Sequence, residues 1–150
     1  MKNRSKSIVV VGSINTDMTI KAEWLPRPGE TILGGRFFTA QGGKGANQAV
    51  AAARLGAPVG MIAKVGCDAL GNASIASLAH EGIDTTGIVP DSVNPSGVAM
   101  ILIDAQGENV IAVASGSNMA LTAAEVAEKK EMLASADIVL MQLEIPIPAI

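Results

Sequence analysis

The sequence predicts an α/β protein built on a mostly parallel sheet, with a small second sheet appended to it. Three observations carry this. Segments 7–13, 59–65 and 137–143 are short β-branched or apolar runs of the kind buried on both faces of a sheet. Helix-forming segments alternate with them, as right-handed crossovers between parallel strands require. Segments 16–22, 31–41 and part of 96–115 are less hydrophobic and fall outside that rhythm.

Each element has a local cause. Ile8-Val9-Val10-Val11 forms the centre of the first strand, and Asn15 and Asp17 follow its carboxyl end. Met18, Ile20 and Ala22 alternate with Thr19, Lys21 and Glu23, the period of a half-exposed strand. Pro26, Pro28 and Gly29 make 25–30 a loop, and Gly34-Gly35 bends the strand expected over 31–41. Gly42-Gly43-Lys44-Gly45 opens onto an Ala-rich helix over 47–55, with Gly56 at its carboxyl cap. After the strand at 59–65, Asp68 and Gly71 mark a turn into a helix over 69–81 that stops at Gly82. Two strands at 98–104 and 109–114 are joined by the hairpin Ala105-Gln106-Gly107-Glu108. Thr122 and Glu125 form a capping box that starts a helix running to Ser135. The buried strand at 137–143 ends on Glu144, and no repeat or linker divides residues 1–150.

Composition limits the function. The 150 residues are 49% hydrophobic and 17% charged, the balance of a soluble domain with a real core. A net charge of −3, two Phe, one Trp and no Tyr exclude a nucleic-acid footprint and a base-stacking platform. A single cysteine, Cys67, excludes a disulfide framework or multi-cysteine metal site and fits a reducing compartment, the cytoplasm. No apolar run approaches the ~20 residues of a bilayer span. The basic amino end resembles a secretory signal, but its apolar part is too short and Asn15 and Asp17 follow at once.

Ligands of open α/β sheets bind beyond the carboxyl ends of strands. Asn15 with Asp17, the segment 42–47 and Glu144 all fall at such places. A carboxylate beside an amide suits the hydroxyls of a polyol, because one accepts and the other both donates and accepts. The same pair also serves to cap a bend. Gly42-Gly43-Lys44-Gly45 fails both the P-loop and the dinucleotide fingerprint: position 38 is Phe, Lys44 precedes Gly45, and position 48 is Gln. It leaves a backbone open to close approach at a helix start that favours electron-rich groups, with Asn47 facing the same space, or else a glycine turn needed for folding. Ala99, Ile101 and Val113 share one parity and read either as core or as an apolar wall over a ligand. His80, Cys67 and the Lys129-Lys130 pair read as surface, structural thiol and solvated helix face.

Five segments occur in one order: Val11-Gly12-Ser13-Ile14-Asn15-Thr16-Asp17, Pro28-Gly29-Glu30, Gly42-Gly43-Lys44-Gly45-Ala46-Asn47-Gln48-Ala49, Gly107-Glu108-Asn109 and Met141-Gln142-Leu143-Glu144. Over essentially the whole chain they resemble the amino-terminal half of the ribokinase/pfkB-type carbohydrate kinases. Asn15 and the last segment resemble the ribokinase branch more than its fructokinase or adenosine kinase relatives.

The resemblance implies a three-layer α/β sandwich with a mostly parallel sheet and a small β lid, of which this chain covers roughly the first half. The lid strands would lie near 16–22, 31–41 and in part of 96–115. Asn15, Asp17, Gly43, Lys44, Asn47 and Glu144 would surround the sugar, with Ala99, Ile101 and Val113 as its apolar wall. The implied reaction moves the γ-phosphoryl group of ATP to the 5-hydroxyl of D-ribose, with Mg2+ and a monovalent cation such as K+, in a homodimer paired through the lid strands. The family's Gly-Ala-Gly-Asp signature and Asn-x-x-Glu metal motif do not occur in these 150 residues. The resemblance therefore assigns no catalytic residue and no metal ligand here, and implies that this chain is inactive by itself. A non-catalytic sugar-binding or oligomerising module, or a kinase for another sugar or nucleoside, is the alternative. Because Pro146, Pro148 and Ile150 stand where a covering helix is expected, apolar surface should be exposed beside the strand at 137–143.

Overall fold

The computed structural model describes residues 6–150; the first five, which include part of the basic amino end, lie outside the described residues. Strands β1 (Ile8–Val11), β4 (Val59–Gly66), β5 (Asp84–Asp91) and β8 (Ile138–Met141) form an all-parallel sheet in the order β5-β4-β1-β8. Strands β2 (Asn15–Lys21), β3 (Arg36–Gly42), β6 (Gly97–Ile103) and β7 (Asn109–Ala114) form a second sheet in the order β3-β2-β6-β7. Its central pair is parallel and its outer pairs are antiparallel.

The period-two alternation of the apolar run sorts its side chains to two cores. Val10, with Met61, Ala63 and Val65 of β4, packs against α1 (Lys44–Arg54) and α2 (Ala69–His80) through Ala46, Ala49 and Leu78. Val9, Val11 and Ile62 face the opposite way, toward Leu121, Val126 of α3 (Ala123–Glu128), and Met132 and Leu133 of α4 (Lys130–Ser135). Helices on both faces of a parallel sheet give the three layers the sequence implies.

Several local expectations are corrected. The strand expected over 31–41 begins only at Arg36, because Gly34 and Gly35 hold φ near +90°, outside the range a ladder accepts. The helix expected from Thr122 to Ser135 breaks at Lys129, whose backbone leaves helical dihedrals while its ammonium donates to the Thr86 carbonyl at 3.2 Å. A strand absent from the sequence reading, β5, pairs with β4. Its Gly87 and Pro90 interrupt any periodic signal, and proline is tolerated because this strand is an edge. Among the described residues the last strand, β8, pairs only with β1, and its Ile138, Val139 and Met141 are 37–45% exposed, in line with the apolar surface expected there. Cys67, expected as a structural thiol, is exposed in the turn after β4.

Candidate functional site

The site forms where the carboxyl ends of β1 and β8 meet the start of α1 and the second sheet. Gly43, at φ +91°, makes the turn into α1 and has no side chain with which to cap it. The cap comes from elsewhere in the chain. Glu144 accepts the Lys44 N–H at 3.1 Å and the Ser13 hydroxyl at 2.7 Å, and it pairs with the Lys44 ammonium. Ser13 in turn accepts the Gly45 N–H at 3.3 Å through its hydroxyl and the Ala46 N–H at 2.9 Å through its carbonyl. The orphan donors of the first turn are thereby satisfied. An internal carboxylate, Glu144, thus sits at the positive end of α1.

Electrostatics separates the two carboxylates of the site. Burial acts to raise the pKa of Glu144, but hydrogen bonds from Lys44 and Ser13 outweigh it and hold the group below its ordinary range. Asp17 moves the other way, raised first by burial and then by the negative charge of Glu144. Glu144 is the fixed anion; Asp17 is the carboxylate with unspent hydrogen-bonding capacity.

Sheet register places the remaining residues. Asp17 pairs with Ala40 and Ala99, and Ala99 with Val113, so these four form one row on a single face. Ile101 lies on the same face one step further along, paired with Thr19 and Ile111. Asn15, Glu144 and Val113 line a cleft of about 270 Å³ together with Ser13, Asn118 and Leu143. Its volume sits near the lower end of small-ligand pockets, about 300 Å³. Its lining combines polar Ser13, Asn15, Asn118 and Glu144 with apolar Val113, Met119 and Leu143.

Not every predicted residue converges. Asn47 stands exposed on the first turn of α1 and lines a different groove, of about 290 Å³, with Gln41 and Arg54. Ile101 borders an apolar hollow with Met18, Phe37 and Met100, while the more buried Ala99 lies beside Asp17. Ser13 and Asn118 were missed. Ser13 lies in the segment from Val11 to Asp17, where a serine after a buried strand is a helix-cap signal. Asn118 lies in a Gly-Ser-Asn run that carries no local signal beyond a turn.

Residues 5–146 match the family described as pfkB family carbohydrate kinase. The chain belongs to the pfkB family of carbohydrate kinases. This pfkB-family chain is 44% identical to the ribokinase of Haemophilus influenzae over 145 residues, covering 97% of this chain and 47% of that protein. Against the ribokinase of Bacillus subtilis it is 44% identical over 141 residues, 94% of this chain and 48% of that one. Its fold is similar to a structure of Arabidopsis thaliana ribokinase complexed with ribose and ATP: TM-score 0.84, 35% identity, 95% of this chain and 46% of that chain. The chain thus spans about half the length of the curated relatives it matches.

Proposed function

We propose that this chain is the sugar-holding half of a kinase that transfers the γ-phosphoryl group of ATP to the 5-hydroxyl of D-ribose, giving ribose 5-phosphate. The observation that carries the reading is the cleft in which Asn15, Glu144 and Val113 meet, with Asp17 and Ala99 in the adjoining row. Family membership and similarity to a ribokinase holding ribose and ATP support the same substrate pair. Asn15 and Asp17 bind sugar hydroxyls directly. Lys44 and Gly43 shape the edge of the site, Glu144 joins them to it, and Ala99, Val113 and Ile101 supply apolar surface. Asn47, on the first turn of α1, belongs to the same proposed set.

ATP, Mg2+ and a monovalent cation such as K+ complete the proposed reaction. Among the described residues no three His, Cys, Asp or Glu side chains come together as metal ligands, and the first-turn amides of α1 are already engaged. The contribution proposed for the residues of this chain is binding and orienting the alcohol. Pairing of two copies through the second sheet is part of the proposal. The outward face of that sheet carries Met18, Phe37, Met100 and Val110 around an apolar hollow of about 190 Å³. No helix among the described residues is long and apolar enough to cross a membrane; the cytoplasm is the setting proposed.

The test is ADP release by the full-length protein with D-ribose, D-fructose and adenosine as acceptors. Ribose should be preferred, and a protein comprising residues 1–150 alone should give no turnover. Preference for fructose or adenosine, or no turnover by the full-length protein, overturns the reading.

A further inference from the structure

We propose that Asn118 is a positioning residue that fixes the hydrogen-bond polarity of the cleft, turning Asn15 so that its amide NH2 enters the cleft as a donor. The inference rests on the reading of the cleft as a sugar site and adds which partner that site demands: an oxygen that accepts at Asn15.

The polarity is set by backbone chemistry. Asn118 is 1% exposed, and its Oδ1 accepts the Ile14 N–H at 2.8 Å while its Nδ2 donates to the Ile14 carbonyl at 3.0 Å. A backbone N–H can only donate and a backbone carbonyl can only accept. Turning the Asn118 amide over would set oxygen against oxygen and N–H against N–H in a buried site, so only one orientation survives. With its second hydrogen Nδ2 donates to Oδ1 of Asn15, the two heavy atoms 2.8 Å apart. That contact transmits the choice: Asn15 must present its oxygen to Asn118 and its NH2 elsewhere. The Asn15 NH2 has no protein partner among the described residues and is not sealed from solvent, and Asn15 lines the cleft.

Two further features hold the relay. Asn118 lies on a short 3-10 turn, Gly116–Ala120, pinned through buried Ser117, whose N–H and hydroxyl both reach the Pro95 carbonyl, at 2.8 and 2.9 Å. Gly97 lies opposite Asn15 in the register, and a β-carbon there would collide with both Asn15 Oδ1 and Asn118 Nδ2. Asn118 has spent both N–H groups on the protein, so it orients the ligand's partner without donating to the ligand itself. Asn15 then donates on one side of the cleft while Asp17 accepts beside it.

Asn118→Asp in the full-length protein keeps the shape and the acceptor for Ile14 but removes the donor that holds Asn15. The KM for D-ribose should rise roughly tenfold or more while kcat changes by less than about threefold, the split expected when ground-state binding is lost. In ligand-free protein with 15N-labelled asparagine, the side-chain amide resonances of Asn15 should move. Unchanged KM with unmoved resonances overturns the proposal. If wild-type protein does not use ribose, the sugar reading fails, and the Asn15 resonances alone still decide the relay. If Asn118→Asp does not fold, Gly97→Ala decides: a KM rise of similar size supports the relay, and an unchanged KM overturns it.

Discussion

The carboxylate of Asp17 occupies the space that a β-carbon at position 42 would fill. Gly42 is the diagonal neighbour of Asp17 across the β2–β3 ladder, and any side chain there would strike both carboxylate oxygens. The backbone at Gly42 does not have positive φ, so the glycine is needed for space and not for conformation.

Gly42→Ala should therefore act on the sugar through Asp17. The KM for ribose should rise about tenfold or more, of the size that loss of a hydrogen bond to a charged group gives. In an Asp17→Ala background the same change should cost less than about twofold, because the clash has gone; this is the non-additivity of residues in contact. Steady-state kinetics on the four proteins of the cycle checks it. Additive effects would show that Gly42 acts through something other than Asp17.

Asp17→Asn should make the ligand-free protein more stable at neutral pH while weakening ribose binding. The folded pKa of Asp17 is raised by burial and by Glu144. Its favourable contribution is thus full below the unfolded value and lost as pH rises through the folded one. Thermal melts should show the variant ahead of wild type at pH 7 and level with it in acid. A variant less stable than wild type at pH 7 would contradict the shift.

Glu144→Gln should behave in the opposite sense. The pKa of Glu144 is held below its ordinary 4.5, so its stabilisation is present above that value and fades as pH falls through the folded pKa. The variant should melt lower than wild type at pH 7, and the gap should close on acidification. A gap that persists unchanged at low pH would assign the loss to packing and not to charge.

Asp91 gives an independent acid-side test away from the cleft. Hydrogen bonds from the Asn94 side chain and from the Asn94 and Val93 N–H groups lower its pKa to about 2. The stability this group supplies is present above its ordinary 3.8 and is lost as pH falls toward about 2. Asp91→Asn should thus destabilise at neutral pH with no effect on the KM for ribose. A change in KM would mean that the 91–96 turn reaches the sugar site.

Thr122→Ala should cost about 1 kcal/mol, the usual worth of an N-cap. Thr122 Oγ1 accepts the Glu125 N–H at 3.2 Å, and Glu125 accepts the Thr122 N–H at 2.8 Å, a complete capping box. Denaturant unfolding measures the loss. A neutral result would show that packing of Val126 alone holds α3.

The capping box was legible because all its partners lie within four residues. The same holds for the ends of α2, where Asp68 accepts the Gly71 N–H at 2.8 Å and Gly82 turns the chain at φ +78°. Where a signal was spread or interrupted, reading failed. Gly87 and Pro90 hid β5, and nothing local marks the break at Lys129. In the site, Asn15, Asp17 and Glu144 stood out as polar groups at strand ends. Asn118 did not, since its role consists of bonds to Ile14 and Asn15 about a hundred residues earlier.

The sequence alone determined the alternation of strands and helices, the two faces of the Ile8–Val11 run, and the polar residues at the strand ends. These follow from short-range periodicity and from the few conformations open to Gly, Pro and capping side chains. Tertiary structure alone decided that β5 pairs with β4, that Glu144 caps α1 from across the fold, and that Asn15 faces the cleft with its donor. Each of those depends on which strands become neighbours and in what register, a choice made by long-range packing that no local window of residues contains.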